Sequence, residues 1–366
     1  MVKNSVQDLL HDFPIQDFQS DLIQWFQKEK RDLPWRKDKD PYKIWVSEVM
    51  LQQTRVDTVI PYFERFMEKY PTLEHLAEAD EQELLKIWEG LGYYSRVRNL
   101  HHAVREVKEK YGGVVPDNRK EFQKLKGVGS YTAGAVLSIA YNLPEPAVDG
   151  NVMRVLSRVL HIDEDISKAK TKKKFETIVA EMISREDPSS FNQGLMELGA
   201  LVCTPRSPAC LLCPVRDYCR AFKLGKSEDL PVKNAKKRNK TVKLIAAVLE
   251  DPEGNIVLRQ RPPDGLLASL WEFPNEEVKG TLENPLAFLE KTLKEKHGFT
   301  SRIHKPLGTI THKFSHLTWE IDAYRGKVGE NIQESETLKA VSRDEITSTY
   351  PLPVPHQIIW QKFIGN

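Results

Sequence analysis

Hydrophobic residues recur with two different periods along the chain, and the period changes in its last third. Between residues 13 and 201, apolar residues recur every three or four positions among charged ones; in residues 13–34, for example, Phe18, Leu22 and Phe26 share one face. That spacing is typical of amphipathic helices. After residue 242 the pattern alternates every second residue, as at Leu317 and Trp319, which is typical of half-buried strands. The pattern predicts a mainly α N-terminal part and an α+β C-terminal part.

A change in composition separates the two parts. Residues 226–241 contain many lysines and few apolar side chains, which favours a solvated basic linker. We therefore expect one domain at residues 1–225 and a second at residues 242–366. In the second, the pattern predicts strands at 242–249, 256–259 and 317–324, and one helix at 285–297.

Length and net charge are compatible with many classes of protein. A chain of 366 residues fits two domains of ordinary size. The 54 Lys and Arg residues nearly balance 52 Asp and Glu residues, so any positive surface must arise from local arrangement. The N-terminal sequence resembles no signal peptide, and no long apolar run is present. We expect a cytoplasmic protein without membrane contact.

A Gly-Val-Gly sequence separates two predicted helices. A short helix capped by Asn118 and Glu121 ends at Gly127 and Gly129, and a second helix of small and apolar residues follows at 131–140. A joint of this kind points backbone N–H groups outward at a helix N-terminus, where an anion such as a nucleic-acid phosphate can bind. Taken alone, the glycine pair is more typical of a helix C-cap and a turn.

One glutamate lies in an unusually apolar helix. The pattern predicts a helix over residues 42–54, in which Ile44, Trp45 and Leu51 flank Glu48. A lone helical glutamate is more often solvated, but burial without a cation would raise its carboxyl pKa. A carboxylic acid that stays protonated near neutral pH can act as a general acid.

All four cysteines lie within a short segment, which favours a metal site over a disulfide framework. Cys203, Cys210, Cys213 and Cys219 have six, two and five residues between them. Four thiolates suit a tetrahedral metal or a cubane cluster equally well, so the residues alone leave the metal open.

Several of these motifs together resemble one enzyme superfamily. The hairpin with Tyr131 behind it, residues 148–151 and the cysteine spacing are similar to the helix-hairpin-helix DNA glycosylases of the endonuclease III superfamily. Residues 45–54 are similar to the catalytic helix of its adenine DNA glycosylases. The resemblance implies a [4Fe-4S] cluster at residues 203–219, Glu48 as the catalytic acid, and Asp149 as an ionised carboxylate that stabilises or attacks the sugar. Tyr131 would hydrogen-bond Asp149.

The same resemblance implies a set of DNA contacts. The hairpin would hold a phosphate, an amide after the catalytic helix would probe the base stack, and a tyrosine would stack near the opposing base. Arg96 and Arg98 would neighbour phosphates. In this part of the chain the implied DNA-binding residues are Gln53, Tyr93, Gly127, Gly129 and Asn151.

The C-terminal part resembles a Nudix domain at residues 270–274, but its acidic helix is incomplete. Thr292, Glu295 and Lys296 hold the positions at which working Nudix hydrolases carry three metal-binding glutamates. We interpret the domain as a Nudix-like fold that no longer hydrolyses diphosphates. In adenine DNA glycosylases such a domain recognises 8-oxoguanine, which implies a reading loop at residues 312–316. Its implied contacts are Phe314, Ser315 and His316.

The resemblance covers nearly the whole chain and implies a glycosylase that flips adenine out of double-stranded DNA and excises it opposite 8-oxoguanine or guanine. It also implies a monomer, associated with the nucleoid if the source is bacterial. Superfamily members that also cut the strand carry a lysine where this chain has Tyr131, which favours a monofunctional enzyme. Three alternatives stay open: an endonuclease III-like enzyme for oxidised pyrimidines, a nucleotide-pool Nudix hydrolase, and a non-catalytic mismatch-binding protein.

Overall fold

The computed structural model describes residues 5–234, 240–280 and 283–364. Residues 1–4, and residues 235–239 of the predicted linker, lie outside this description. The chain divides into two compact units, Met1–Glu78 with Asn99–Lys236, and Ala79–Arg98 with Lys237–Asn366. Residues 79–98 therefore group with the C-terminal part, a division that the hydrophobic pattern does not indicate. Within the described ranges, no helix is long and apolar enough to cross a membrane.

Helices make up the regular structure described before residue 235, apart from three short 3-10 turns. In chain order they are α1 (Val6–Leu10), α2 (Ile15–Glu29), α3 (Pro41–Leu51), α4 (Val56–Lys69), α5 (Leu73–Ala77), α6 (Glu81–Ile87), α7 (Ser95–Lys110), α8 (Arg119–Phe122), α9 (Ser130–Tyr141), α10 (Gly150–Val159), α11 (Ala169–Met182), α12 (Pro188–Leu201) and α13 (Arg220–Lys223). Of these, α6 lies in the second unit, and α7 begins there and continues in the first.

The helical unit packs around the apolar faces that the three- and four-residue spacing predicts. Phe18 and Leu22 of α2 contact a buried cluster that includes Phe175 of α11 and Phe191 of α12. These side chains are fully removed from solvent. Burial of each contributes about 1.5–3 kcal/mol relative to an exposed position. The packing fixes α12 across the unit, where it forms one wall of the cavity described below.

The predicted hairpin is present between α8 and α9. Gly127 adopts a left-handed backbone with φ of 83°, and a Cβ atom there would lie 2.8 Å from Cβ of Asn99. Gly129 is the N-cap of α9 with extended backbone, and open space surrounds the position of its missing Cβ. Gly127 is therefore required by backbone geometry, whereas Gly129 leaves the N-terminus of α9 uncovered.

Part of the predicted linker packs against the helical unit. Leu230 is buried, and its carbonyl oxygen accepts a hydrogen bond of 2.9 Å from Nε of Arg158. The backbone N–H of Ile166 donates to the carbonyl of Val232 at 3.0 Å. The lysine-rich composition favoured a solvated segment throughout. The structure shows that these residues of the segment instead pack against the protein.

The second unit contains a mixed sheet with helices on both faces. Its strands are β1 (Lys240–Glu250), β2 (Ile256–Gln260), β3 (Trp271–Glu272), β4 (Asn275–Glu277), β5 (Ser301–Lys313), β6 (Leu317–Val328) and β7 (Leu338–Val341). Its further helices are α14 (Pro285–His297), α15 (Arg343–Ser348) and α16 (Val354–Phe363). The strand order is β3-β2-β1-β6-β5, with β4 on β1 and β7 on β2; β1 and β6 are parallel and the other pairs antiparallel.

Strand β1 is buried on both faces because alternate residues enter two separate cores. Ile245 and Ala247 pack with Leu289 of α14, whereas Ala246 lies in the cluster that contains Ile359 of α16. This arrangement confirms the α+β prediction, and α14 has the bounds predicted from the sequence.

Candidate active site

Helix α3 carries Glu48 into the interior of the helical unit. The side chain of Asp40 caps the helix by accepting a hydrogen bond of 2.8 Å from the N–H of Tyr42. Residues 44–50 are all buried, and Glu48 is 5% exposed. The helix ends at Leu51, three residues earlier than predicted. The carboxyl group of Glu48 is therefore largely removed from solvent.

The Tyr131 hydroxyl is the hydrogen-bond partner of Glu48. It donates to Oε2 of Glu48 at 2.5 Å and lies 3.3 Å from Sδ of Met196. The sequence interpretation paired Tyr131 with Asp149, so the structure corrects that pairing. Burial raises the pKa of Glu48 to about 7, although the Tyr131 hydrogen bond acts in the opposite direction. Burial, followed by the charges of Glu48 and Asp149, holds the pKa of Tyr131 well above its ordinary value, so the phenol stays a donor.

Asp149 is the N-cap of α10, and its surroundings favour a carboxylate more than those of Glu48 do. Its side chain accepts hydrogen bonds from the N–H of Val152 at 2.7 Å and from Nδ2 of Asn151 at 2.9 Å. Burial raises the pKa of Asp149, and these hydrogen bonds and the charge of Arg154 oppose the rise. A helix N-terminus also stabilises negative charge. The two carboxyl groups therefore differ in the number of donors that hold them.

The loop before Asp149 is held from two sides. Asn192 of α12 accepts a hydrogen bond from the N–H of Ala147 at 3.4 Å and donates to the carbonyl of Glu145 at 2.8 Å. On the other side Gly134 of α9 approaches so closely that a Cβ atom there would lie 1.9 Å from the carbonyl oxygen of Pro146. Both contacts fix the loop that presents Asp149.

Glu48, Tyr131 and Asp149 line one cavity of about 160 Å³ in the helical unit. An acid with a pKa near neutrality and a second carboxyl group on the same cavity can protonate a leaving group and stabilise positive charge on a sugar. The further residues of its wall are Arg31, Leu33, Trp35, Arg36, Ile44, Ser47, Leu51, Thr54, Val56, Ile139, Asn151, Gln193, Met196, Glu197 and Ala200.

Sequence reasoning missed an ion-pair cluster that lines the same cavity. Glu197 of α12 accepts hydrogen bonds from Nε and Nη2 of Arg31 at 2.8 and 2.9 Å, and from Nη1 and Nη2 of Arg36 at 3.2 and 3.0 Å. Burial alone would raise the pKa of Glu197, but the two guanidinium groups outweigh it and lower the pKa to about 2. The sequence pattern that could have indicated Glu197 is the one that indicates Glu48, namely a glutamate within an apolar helix.

The predicted DNA contacts of the helical unit differ in exposure. Gln53 is exposed, with a left-handed backbone at φ of 60°, just after α3. Its neighbour Gln52 donates to Oγ1 of Thr132 at 3.4 Å. Asn151, which the sequence assigns to DNA contact, has both ends of its amide engaged inside the protein, since it donates to Asp149 and accepts from Arg154. Its observed contacts are those of a residue that positions Asp149.

A second cavity, of about 370 Å³, lies within the sheet-containing unit. Tyr93, Phe314, Ser315 and His316 all contribute to its lining. Tyr93 has a left-handed backbone and is 43% exposed. The turn that carries Ser315 is closed by a hydrogen bond of 2.8 Å from the N–H of Phe314 to the carbonyl of Leu317. The structure therefore brings together two predicted DNA-contact regions that lie more than two hundred positions apart in the sequence.

Two arginines proposed as phosphate neighbours are engaged within the protein. Arg96 is 9% exposed; its Nη2 donates to the carbonyls of Leu91 and Gly92, and its guanidinium lies over the Trp88 ring. Burial lowers the pKa of Arg96 to about 10. Nη1 of Arg98 donates to the carbonyl of Pro263 at 2.9 Å. Arg96 is thus structural and unavailable for the predicted phosphate contact.

The incomplete acidic helix of the Nudix-like unit is engaged in other contacts. Nζ of Lys296 lies 2.8 Å from both carboxylate oxygens of Glu276, and Thr292 donates to the carbonyl of Phe288 within its own helix. Glu295 faces solvent beside Lys291. An ammonium group in an ion pair therefore stands where a hydrolase would need a carboxylate for its metal.

The four cysteines line a single recess next to α10 and α12. Nη1 of Arg158 donates to Sγ of Cys203 at 3.2 Å, and burial raises the pKa of the Cys213 thiol to about 12. Four cysteines on one recess, with a guanidinium beside Cys203, suit a metal-sulfide cluster, because bound metal keeps thiols deprotonated and the guanidinium offsets their charge. With all four sulfurs used as ligands, the group would have a structural function.

Comparisons with known proteins agree with this geometry. The model of the HhH-GPD superfamily base excision DNA repair proteins matches residues 46–181. The human adenine DNA glycosylase is 37% identical over 361 residues, which cover 84% of this chain and 66% of the human protein. The rat adenine DNA glycosylase is 37% identical over 373 residues, covering 88% and 72%. The chain belongs to the adenine DNA glycosylase family.

Further matches cover the cysteine loop and the C-terminal part of the chain. The model of the iron-sulfur binding domain of endonuclease III matches residues 203–219, and the Nudix domain model matches residues 245–362. The structure of a thermostable thymine-DNA glycosylase has a TM-score of 0.52 and 29% identity, covering 57% of this chain and 97% of that one. The predictions of family, fold class, glycosylase enzyme and iron-sulfur cluster are confirmed. The chain spans about two thirds of the human relative.

Proposed function

We propose that this glycosylase is a monofunctional enzyme that flips adenine out of a DNA duplex and excises it opposite 8-oxoguanine or guanine. One observation carries the proposal: a buried glutamate with a pKa of about 7 shares a cavity with a second carboxyl group held by hydrogen bonds. The relatives named adenine DNA glycosylase support adenine as the base. Because Glu48 is buried inside the helical unit, the base must leave the duplex to reach it, at a cost of roughly a few kcal/mol.

Excision in this cavity needs one proton and one site of negative charge. Glu48 donates its proton to the flipped adenine, and the bond between the base and the sugar breaks as the base leaves neutral. Positive charge then develops on the sugar, and Asp149 stabilises it electrostatically. A water molecule attacks the sugar and returns a proton to Glu48. Tyr131 holds the Glu48 carboxyl in place throughout.

The side chain at position 131 supports excision without strand cleavage. A bifunctional glycosylase uses an amine here to form a covalent Schiff base with the sugar, and a phenol cannot form one. The Tyr131 hydroxyl is also committed to Glu48. We therefore expect little covalent adduct when the enzyme is mixed with substrate DNA and borohydride.

The cavity of the sheet-containing unit supports a separate site for the base opposite adenine. An exposed tyrosine lines it together with the turn 314–316, in which Ser315 and His316 are exposed and Phe314 is partly buried. Aromatic and hydrogen-bonding groups of this kind suit an unpaired or damaged base. Ser315 can donate or accept one hydrogen bond at a base edge. We assign 8-oxoguanine recognition to this cavity, with Phe314 and His316 as neighbouring contacts.

The hairpin and the residue after α3 supply the remaining DNA contacts in this proposal. The first N–H groups of α9 lack partners in their own helix, and Gly129 leaves them accessible, so a backbone phosphate can bind there. Gln53, exposed beyond the end of α3, would enter the base stack. The iron-sulfur cluster, held by the four cysteines, would fix the loop 203–219 for contact with the backbone. We expect the enzyme to act as a monomer.

The test is adenine release from a duplex with a single adenine opposite 8-oxoguanine, compared with adenine opposite cytosine and with thymine glycol opposite adenine. We expect release from the first duplex alone, with strand breaks only after alkali treatment. Cleavage at thymine glycol would instead indicate an enzyme for oxidised pyrimidines. Binding without release would indicate a mismatch-binding protein.

The opposite-base site has its own test in Ser315→Ala. We expect this variant to lose preference for 8-oxoguanine over guanine opposite adenine, because a hydrogen-bonding group at the base edge is removed. The loss should be about tenfold or less, in line with one hydrogen bond. Ser348→Ala, an exposed serine of α15 outside the cavity, is the matched control. Equal preference in both variants would remove Ser315 from the site.

A further inference from the structure

Met196 places a thioether against the hydrogen bond that defines the catalytic acid. It lies on α12 and lines the same cavity as Glu48. Its Sδ is 3.3 Å from the Tyr131 hydroxyl, whose single hydrogen is donated to Glu48. A thioether sulfur is only a weak acceptor, so the carboxyl oxygen keeps that hydrogen.

Met196 is also one of the more accessible methionines. The sequence contains six. Among those in the described residues, Met50, Met153 and Met182 are buried, whereas Met67 and Met196 are partly exposed. Met67 lies on α4 and does not line the cavity. The chain thus offers an internal comparison between two accessible thioethers, one at the active site and one away from it.

We propose that Met196 is an oxidation site through which peroxides switch off base excision. The inference rests on the proposed function, because it concerns the same acid. The oxidant is hydrogen peroxide or an organic hydroperoxide. A sulfur lone pair attacks the terminal peroxide oxygen, the O–O bond breaks and an S–O bond forms. The thioether is oxidised by two electrons, and the peroxide is reduced to water or an alcohol after proton transfer.

Oxidation changes the chemistry of this wall in two ways. A sulfoxide is polar, and its oxygen is a much stronger acceptor than a thioether sulfur. The new oxygen competes with Glu48 for the Tyr131 hydrogen, and it projects into the volume that a flipped base must occupy. The catalytic carboxyl then loses the hydrogen bond from Tyr131, and the base meets a polar obstruction.

The experiment uses the full-length, cluster-loaded enzyme and three chains: wild type, Met196→Leu and Met67→Leu. Each is treated with graded hydrogen peroxide and then with catalase. Three quantities are measured: oxygen addition at each methionine by peptide mass spectrometry, single-turnover adenine release relative to the same untreated chain, and the visible absorbance of the cluster.

We expect wild type and Met67→Leu to lose release roughly tenfold or more in step with oxidation of Met196, as expected for a lost hydrogen bond to a carboxyl group. Met196→Leu should keep its own untreated rate. Methionine sulfoxide reductase should restore the wild type. The residual activity of the oxidised enzyme should persist to higher pH, because the lost hydrogen bond normally lowers the pKa of Glu48.

Other results would overturn the inference. These are an unmodified Met196 at peroxide levels that oxidise Met67, unchanged release after Met196 is oxidised, or equal loss in Met196→Leu that follows bleaching of the cluster. Failure of the proposed function is distinguishable: untreated wild type would then bind the duplex but release no adenine, and both proposals would fall. Release that survives oxidation of Met196 overturns only this one.

Discussion

Two walls of the proposed excision cavity each carry a buried glutamate, and the partners of the two side chains give them opposite acidities. On α3, Glu48 faces a phenol, and burial raises its pKa to about 7. On α12, Glu197 faces two guanidinium groups, which outweigh burial and lower its pKa to about 2. The cavity therefore holds one carboxyl group able to give up a proton near neutral pH and one that stays charged. The difference lies in the charge of the partners, because both side chains are at most 5% exposed.

The two glutamates also have opposite effects on the free energy of unfolding. The folded pKa of Glu48 lies above its unfolded value, so folding becomes less favourable as pH rises from about 4.5 to 7, by about 3 kcal/mol. The folded pKa of Glu197 lies below its unfolded value. Its contribution, also about 3 kcal/mol, is present above pH 4.5 and is lost as pH falls towards 2.

The largest effect is expected from Glu48→Gln. The amide keeps the shape but has no acidic proton, so adenine release should fall by roughly 10² to 10⁴ while duplex binding persists. The same change removes the cost of a buried acid, so the variant should be more stable than wild type by up to about 3 kcal/mol at pH 8 and no more stable at pH 4. Single-turnover release and urea unfolding at both pH values measure the two effects. Equal stability at pH 8 would contradict the raised pKa.

Breaking the other wall should have the opposite effect on stability. Glu197→Gln leaves Arg31 and Arg36 facing a neutral amide, and loss of one partner of a buried ion pair costs about 3–5 kcal/mol. The loss should be greatest at pH 7 and smaller at pH 4, because wild-type Glu197 contributes less at the lower pH. Urea midpoints at the two pH values measure it. Glu181→Gln, an exposed glutamate of α11, is the control, and an equal loss in both variants would refute the ion-pair assignment.

The smallest of these effects is expected from Tyr131→Phe. This substitution removes the hydroxyl group that hydrogen-bonds Glu48, and so it tests how the partner sets the acidity of the carboxyl group. Loss of one hydrogen bond should slow release about tenfold. Since that bond lowers the pKa of Glu48, the decline of activity at high pH should move upward in the variant. The pH dependence of single-turnover release measures the shift. A decline that moves downward would mean that Tyr131 stabilises the protonated acid.

The same two glutamates show how far the sequence could lead. Each lies in a helix with apolar neighbours, and that local pattern is enough to predict burial. Burial alone does not decide whether a carboxyl group is an acid or an anion, because the decision belongs to partners elsewhere. Arg31 and Arg36 precede Glu197 by 166 and 161 residues, and Tyr131 follows Glu48 by 83. No periodicity carries information across such separations.

Motifs with fixed local spacing were predicted more completely. The hairpin glycines, the four cysteines and the residues of helix α14 each lie within about twenty positions of one another along the chain. The cavity that contains Tyr93 and Ser315, and the inward contacts of Arg96 and Asn151, depend on tertiary packing. For those residues the sequence predicted a functional role but not the group that each side chain contacts.

The close approach of Gly134 to Pro146 has a consequence for inheritance. A side chain of any kind at position 134 would place a carbon 1.9 Å from a backbone oxygen, so the segment that presents Asp149 must move. Every single-base change that replaces a glycine by another amino acid adds that carbon. We therefore expect missense variants at this position to abolish repair as fully as a change of the acid, although Gly134 has no reactive group. In a population, its codon should be as intolerant of change as that of Glu48.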